Sequence, residues 1–507
     1  MTNPSTPRTS GAPITASIVA PGGRRVLGSW KIAGILLAFI SPLGFATGTV
    51  PLALLFGGPT MPLMMIVAAI IVWLFLVGYV QMVQRIDRPG GFFVYITRGL
   101  GKPVGVGASY IAIAGYTLGA ISIFAIQSFV SSAALGALGI NIDSRICLLV
   151  IFVIVGVMSW RRIDFGARIL GVIVVIESSL LIAFIISALI NHGAAGAFDL
   201  GVFTPEAFKY GSWGVAFILA MLSFQGLEGG AMYAPEAKDP ARSIPRGLRL
   251  ALIIQTILFS LTVWVLISLI GFDKIVSSLS TNPDPASYVF SAVGDNLGTP
   301  GLTLFTAAAI LALLGSLVAT VTFLTRYFQG VAIDGLLPSV VGKLNKHGAP
   351  GVAVLFLIGI AAIVGFGAPL VGLNLFTQVA PLGLGLGVLS WTLILLLSSV
   401  SVIRYFRTVE DSARHWWRTL VAPLISSVLL IAVIVIAVSN FSYIVGSSEA
   451  WLNVLPLIMV LLLVAGILFA LWLRSNRPLV YEGIASGDSA EEAEELRAER
   501  ASRTTTV

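Results

Sequence analysis

Two acidic side chains, Glu177 and Glu228, lie deep inside long apolar segments of the sequence. A charge in hydrocarbon costs roughly 2.5 kcal/mol or more, so an ionisable residue at such a position usually has a function. The other acidic residues and all 30 Lys and Arg residues lie at or beyond the ends of these segments. Neither carboxylate therefore has a permanent cation at its depth, which leaves it neutral, hydrated in a cavity or paired with a bound cation. We predict proton coupling at Glu177 and Glu228, with a cationic substrate group as the competing interpretation.

Each carboxylate also has a purely structural interpretation. Glu228 would bond amides that are freed in its own helix, because residues 223–230 read SFQGLEGG and glycine costs a helix about 1 kcal/mol per residue. Glu177 would make a hydrogen bond between helices or face a water-filled crevice. The sequence leaves both alternatives open.

A second break is expected in the first apolar segment, where residues 41–48 read SPLGFATG. Proline removes a backbone donor and clashes with the preceding turn. A broken helix presents free carbonyls before the break and free amides after it, which attract a cation and an anion respectively. Close packing of small residues is the alternative explanation. We predict a site for a small zwitterion, and its candidate residues are Ile40, Ser41, Gly44, Phe45, Thr47, Gly48, Tyr116, Phe224, Gln225, Gly226, Glu228 and Gln378.

Two hydroxyl groups one helical turn apart, Ser316 and Thr320, form a possible sodium site facing the first segment. Hydroxyls in membrane helices more often bond their own backbone, so this assignment competes with a structural one.

The composition places these residues in a polytopic membrane protein. The chain has 507 residues, of which 57% are hydrophobic and 10% are charged, whereas soluble domains have about 25% charged residues. A helix needs about 20 apolar residues to cross the hydrocarbon. Twelve segments qualify: Trp30–Phe56, Leu63–Gln81, Val104–Leu135, Ser144–Trp160, Gly166–Ile190, Trp213–Tyr233, Leu248–Ile270, Gly301–Phe323, Gly351–Phe366, Phe376–Ser398, Leu420–Val438 and Trp451–Leu473.

The basic residues predict the orientation. With a cytoplasmic N-terminus, every Lys and Arg falls on the cytoplasmic side except Arg145, Lys209 and Lys274, as the positive-inside rule requires. We therefore expect both termini in the cytoplasm of a multi-pass protein of the cell membrane. Residues 1–28 are expected to be disordered, 29–473 to form the membrane domain and 474–507 to form a polar tail.

Breaks in segments 1 and 6 fit two five-helix units of opposite orientation, because five spans is an odd number. The expected fold is all-α, with twelve transmembrane helices in a 5+5 inverted repeat, discontinuous helices 1 and 6, and helices 11 and 12 outside the repeat. The repeats cover about 29–190 and 205–398, and the last two helices cover about 416–473.

Other chemistry finds little support in the sequence. A single cysteine, Cys147, excludes an internal disulfide and a thiolate cluster, and the three histidines are far apart. There is no pairing of a nucleophile with a base. The sequence predicts no cofactor, no metal, no nucleic-acid partner and no enzymatic activity; the expected partners are a small molecule, protons and membrane lipid.

Several sequence patterns resemble the amino acid–polyamine–organocation (APC) superfamily of permeases. Segment 6 is similar to the family pattern F-x-G-x-E, and the loop after it is similar to E-x-K-N-P-x-R-x-I-P with Asp239 in place of Asn. The loops after segments 2 and 8 also match. The matching residues are Phe224, Gly226, Glu228, Glu236, Lys238, Pro240, Arg242, Ile244, Pro245, 90–95, 99–105, Arg326, 334–338 and 349–350.

The resemblance implies alternating access, with substrate held between segments 1, 3, 6, 8 and 10. Two departures from the family pattern matter. Some proton-coupled members have a lysine where Glu177 stands, and the glycine-rich pattern of segment 1 is looser here. We predict a secondary transporter of an amino acid or related amine, proton-coupled or exchanging. The alternatives are a polyamine or other organic-cation transporter, a sodium-coupled symporter and a membrane-embedded sensor.

Overall fold

Helices make up nearly all of the chain that the structure describes. The structure is a computed structural model that describes residues 27–86, 91–162, 167–282, 284–408, 415–445 and 450–485. Within these ranges there is no named strand, and the one β-bridge joins Leu27 to Ala237. Eleven helices of the described chain are long and apolar enough to cross a membrane, and a twelfth apolar helix has 17 residues.

We number these helices α1 to α12 in chain order. They are α1 (Ser29–Gly57), α2 (Met61–Val83), α3 (Lys102–Ala137), α4 (Ser144–Trp160), α5 (Ala167–Ala197), α6 (Trp213–Leu222, continued by a 3-10 helix at Leu227–Glu236), α7 (Pro240–Ile270), α8 (Ser287–Ile333), α9 (Gly351–Leu370), α10 (Leu375–Thr408), α11 (Trp416–Ser439) and α12 (Leu457–Asn476).

Large apolar side chains on the outer helices are exposed. On α12, Leu457, Leu461 and Leu468 expose 54%, 66% and 60% of their surface. Contiguous apolar surface of this kind is unfavourable in water and is expected against lipid. The prediction of an all-α polytopic membrane protein is therefore confirmed.

Helix α3 lies at the centre of one half of the molecule, where it packs against α8, α10 and α12. Helix α7 packs against α1, α2 and α5. The first half of α6 packs against α2, α10 and the end of α1 at Ala53–Gly57, so the two broken helices are in contact.

Several helices begin or end beyond the predicted bounds. Helix α7 begins at Pro240 instead of Leu248, because proline is well tolerated in the first turn of a helix. The range of α8 contains two helices that join at a kink at Gly298, with φ 68°, and the predicted span from Gly301 begins just after this kink. The apolar criterion finds the membrane-embedded part of a helix and misses its polar extension.

At both ends of the membrane domain the described structure continues past the predicted boundary. Leu27 is 3% exposed, and its N–H donates to the carbonyl of Glu236 at 3.0 Å. At the other end, a short helix at Pro478–Gly483 packs on the bundle, and Ile484 is 1% exposed. Residues 1–26 and the acidic stretch of the tail lie outside the described residues.

Candidate functional site

Helix α1 breaks at one residue, Ser41, which has φ 56° and ψ 103°. The first half (Ser29–Ile40) is α-helical, and residues 42–57 continue as alternating α and π turns. The break predicted over residues 41–48 is therefore too wide. Proline and glycine in this stretch are accommodated by π turns, in which the N–H of Val50 donates to the carbonyl of Phe45.

Glu177 of α5 occupies the amide end of this break. The Ser41 hydroxyl and the Leu43 N–H both donate to Glu177 Oε2, at 2.8 and 3.0 Å. The Gly44 N–H donates to Ser41 Oγ at 3.0 Å. The free amides predicted from Gly44 to Gly48 are thus absent from the described structure, because protein side chains and helical turns already use the first ones. The contact between Glu177 and α1 is an interhelical hydrogen bond, which is one of the two structural alternatives that the sequence suggests for Glu177.

Helix α6 breaks over residues 223–226 and continues as a 3-10 helix from Leu227, so the break covers the first part of the predicted interval 224–230. Gly226 has φ 105°, a conformation that other residues rarely adopt. A Cβ atom at Gly226 would lie 2.4 Å from Phe39 Cδ1 of α1. The two broken helices therefore meet at this glycine. A larger residue here would clash with Phe39 and would strain the backbone.

Glu228 closes the break of its own helix. The Gly226 N–H donates to Glu228 Oε2 at 2.8 Å, and the Tyr116 hydroxyl of α3 donates to Glu228 Oε1 at 2.6 Å. Glu228 is 7% exposed. The structural alternative, a carboxylate bonded to an amide of its own broken helix, is what the structure shows, and it adds a tyrosine from α3.

Aromatic rings surround this carboxylate. The Phe323 ring of α8 lies edge-on to Tyr116 and Phe39, with centroids 5.5 and 5.9 Å apart, and stacks on Tyr327 at 6.4 Å. All four rings are half-buried, as are Ile40 and Gln225, while residues 41–48 are buried. The half-buried side chains lie around the meeting point of the two broken helices.

Other predicted binding residues have packing roles. Phe45 stacks on Phe259 with centroids 4.4 Å apart, and the Thr47 hydroxyl donates to the carbonyl of Leu43. A Cβ atom at Gly48 would lie 2.4 Å from Ile126 Cγ2. Phe224 is fully buried. For these residues the packing explanation fits the geometry better than ligand contact.

Gln378 does not join the site. Its Oε1 accepts the N–H of Asn374 at 2.8 Å, in an exposed hydrogen bond at the start of α10. The side chain caps its own helix, so the structure gives no geometric support for a substrate role.

The two hydroxyls proposed for sodium make different bonds. Ser316 donates to the carbonyl of Phe39 at 2.7 Å and so connects α8 to the end of the first half of α1. Thr320 donates to the carbonyl of Ser316 at 2.9 Å, within its own helix. The Thr320 hydroxyl thus bonds its own backbone, which is the structural alternative to a sodium site at this residue.

The electrostatics of the site are dominated by acidic groups. The described hydrogen bonds to both carboxylates come from hydroxyl and amide groups. The segment of Glu228 has no Lys or Arg, and in the segment of Glu177 the one basic residue, Arg168, lies nine residues before the carboxylate. Both amide ends of the broken helices are therefore occupied by carboxylates of the protein. The carbonyl ends and the aromatic faces remain, and both favour positive charge.

Sequence reasoning did not identify Phe39, Phe323 and Tyr327. The sequence does contain a pattern that could have indicated two of them, because Phe323 and Tyr327 are one turn apart and follow Thr320 on the same helix. Aromatic residues are common in apolar helices, however, and only the contact with Tyr116 selects these two.

The fold and the site together define a polytopic membrane protein with two broken helices that meet around buried carboxylates. Residues 27–466 match the family model for amino acid permeases. The chain belongs to the amino acid permease family, and the resemblance to APC superfamily permeases is confirmed.

Individual relatives are distant. A branched-chain amino acid permease of Lactococcus lactis subsp. cremoris is 24% identical over 329 residues, or 61% of this chain and 69% of the relative. A lysine-specific permease of the same organism is 26% identical over 249 residues, or 49% and 44%. A vacuolar cationic amino acid transporter of Arabidopsis thaliana is 23% identical over 325 residues, or 60% and 52%. The match thus spans about half the length of two of these relatives.

Proposed function

We propose that this protein is a secondary transporter that moves an amino acid or related amine across the cytoplasmic membrane by alternating access. The observation that carries the proposal is the meeting of two broken helices at Gly226 and Phe39, beside the buried carboxylate of Glu228. Broken helices that line a cavity are a common way for secondary transporters to build a substrate site. Membership of the amino acid permease family supports the same conclusion.

The topology follows from the same proposal. Residues 29–190 and 205–398 form two five-helix repeats of opposite orientation, and α11 and α12 lie outside them. The distribution of Lys and Arg supports cytoplasmic termini.

Glu177 is the proposed proton-coupling residue. Its carboxylate accepts two hydrogen bonds from the break of α1, so its protonation would weaken the connection between α1 and α5. Glu228 is bonded within α6 and to Tyr116, which suits it to substrate binding rather than to a change between helices.

The test is uptake by the purified full-length protein in liposomes. Labelled leucine and lysine are the first probes, because two of the relatives are a branched-chain amino acid permease and a lysine-specific permease. We expect accumulation that an inward proton gradient stimulates, and a Glu177→Gln variant whose uptake no longer depends on that gradient. Gradient-driven uptake by Glu177→Gln equal to that of the wild type would exclude Glu177 as the coupling residue.

An organic cation without a carboxylate is the second candidate substrate, and one observation favours it. The amides of Leu43 and Gly226 already have carboxylate partners, Glu177 and Glu228. A substrate carboxylate would have to displace one of them, whereas an ammonium group can bind Glu228 and the surrounding rings directly.

Matched ligands separate the two candidates. Thermal-shift and uptake assays would compare lysine with cadaverine, its decarboxylated amine, and with 6-aminohexanoate, which lacks the α-amine. Preference for cadaverine supports the organic-cation candidate, and preference for lysine supports the amino acid. Failure of all amines and amino acids to bind would contradict the proposed function itself.

A further inference from the structure

Gln255 of α7 is a fully buried polar residue whose two amide atoms both lack a partner. Its side chain is 0% exposed, and neither Nε2 nor Oε1 has a hydrogen bond to any residue that the structure describes. Buried side-chain amides are nearly always paired, because an unpaired polar group keeps the full cost of leaving water. A side chain of this kind points to a partner that forms in another state of the protein.

Contacts between α7 and α1 place Gln255 at the break of α1. A Cβ atom at Gly247 would lie 2.7 Å from Ile32 Cγ2, and Phe259 stacks on Phe45. The two helices therefore run side by side in the same direction. Gln255 lies one turn before Phe259, so it is level with residues 40 and 41 of α1.

The direction of the side chain follows from the helical repeat. Leu248, Gln255 and Phe259 lie on one stripe of α7, at spacings of seven and four residues. Leu248 is close to the position that a Cβ atom of Gly230 would take, as is Leu36 of α1. The stripe therefore faces α1 and the second half of α6, and Gln255 faces them with it.

The break leaves main-chain acceptors at this level. The carbonyl of Ala38 has no donor at the i+4 position, because that residue is Pro42. The carbonyl of Ile40 loses its helical donor because the Gly44 N–H turns to Ser41 Oγ. The carbonyl of Phe39 accepts a bond from Ser316. Two acceptors thus stand at the depth where Gln255 has an unused donor.

We propose that Gln255 is a positioning residue of the transport site, whose amide donates to the carbonyl of Ala38 or Ile40 when the two halves of α1 change their angle at Ser41. The bond would hold the first half of α1 in the second state of the cycle. This inference rests on the proposed function, because alternating access supplies the second state.

Hydrogen–deuterium exchange on the purified full-length protein tests the proposal without a substrate. Gln255→Met keeps the size of the side chain and removes the donor. We expect amides of residues 37–46 to exchange at least fivefold faster than in the wild type. The thermal midpoint should stay the same or rise, because the variant removes an unpaired buried group. Uptake of labelled leucine and lysine should fall at least tenfold.

Two variants serve as controls. Ser260→Ala removes another buried group without a partner in the described structure, five residues along α7 and about 140° around it; it should change neither exchange nor uptake. Gln255→Asn keeps the amide and should retain more uptake than Gln255→Met. If Gln255→Met does not fold, Gln255→Leu replaces it in the same comparison with Gln255→Asn.

Unchanged exchange at residues 37–46 in Gln255→Met, with uptake within twofold of the wild type, would overturn the proposal and indicate a passive structural residue. If the wild type takes up neither probe, the proposed function loses support while the exchange result still decides the role of Gln255.

Discussion

The two broken helices close their amide ends with carboxylates of different origin. In α1 the acceptor is Glu177, which is 134 residues away from Leu43 and belongs to α5. In α6 it is Glu228, only two residues from Gly226. The first connection joins two helices, and the second is internal to one.

This difference assigns different roles to the two ends. A change of angle between α1 and α5 must break the bonds of Glu177, so protonation there can be coupled to movement. A rigid movement of α6 preserves the bond between Gly226 and Glu228, and it has to carry or break the bonds that Tyr116 donates to the Glu228 carboxylate and that Tyr79 donates to the Glu228 carbonyl. In the proposed transport cycle, the break in α6 would therefore move as a fixed unit, and the break in α1 would act as a joint.

The largest effect is expected from a substitution that disrupts the break in α6. Gly226→Ala places a methyl group 2.4 Å from the Phe39 ring, at a φ of 105° that alanine tolerates poorly. We expect uptake to fall more than 100-fold and the thermal midpoint to drop by several degrees. Gly229→Ala is the matched control, since nothing lies within 4 Å of its Cβ position, and it should keep uptake within threefold. Wild-type uptake in Gly226→Ala would show that the two helices do not meet as described.

The second test removes the charge and the tyrosine bond separately. Glu228→Gln should reduce uptake about 30-fold, and Tyr116→Phe about tenfold, because a hydrogen bond to a charged group contributes about 1.5–3 kcal/mol and 1.4 kcal/mol is a factor of ten. Initial uptake rates at fixed substrate concentration measure both. If Tyr116→Phe costs more than Glu228→Gln, the carboxylate is not the organising group.

The helices and the positions of both breaks can be predicted from the sequence, but the contacts between helices cannot. Apolar length and the distribution of basic residues predict the helices, and Ser41–Pro42 and Gly226 mark both breaks, because these signals are local. The sequence cannot show that Glu177 fills the amide end of α1, since that contact joins residues 134 positions apart. Gln378 shows a different limit: its side chain bonds its own helix, and a local pattern cannot distinguish that bond from a ligand contact.

The third test concerns the break in α1. Ser41→Ala removes the hydroxyl that donates to Glu177 and accepts from the Gly44 N–H. Loss of a capping side chain costs about 0.5–2 kcal/mol, so we expect about a fivefold loss of uptake and weaker stimulation by a proton gradient. Thr47→Ala is the control, because its hydroxyl bonds only the carbonyl of Leu43 in the described structure. Equal gradient dependence in Ser41→Ala and the wild type would separate this hydroxyl from coupling.

The smallest effect is expected at the glycine of α1 that corresponds in role to Gly226. A Cβ atom at Gly44 would lie 2.7 Å from Leu313 Cδ2 and 2.9 Å from Ser41 Oγ, but Gly44 has a helical φ of −61°. Both neighbours are side-chain atoms that a small rotation can move, whereas a substitution at Gly226 also has to adopt a positive φ. We expect Gly44→Ala to reduce uptake about twofold, and Gly44→Ala combined with Leu313→Ala to recover part of that loss. A loss in Gly44→Ala as large as that in Gly226→Ala would show that both breaks are equally fixed, and the distinction between joint and fixed unit would fail.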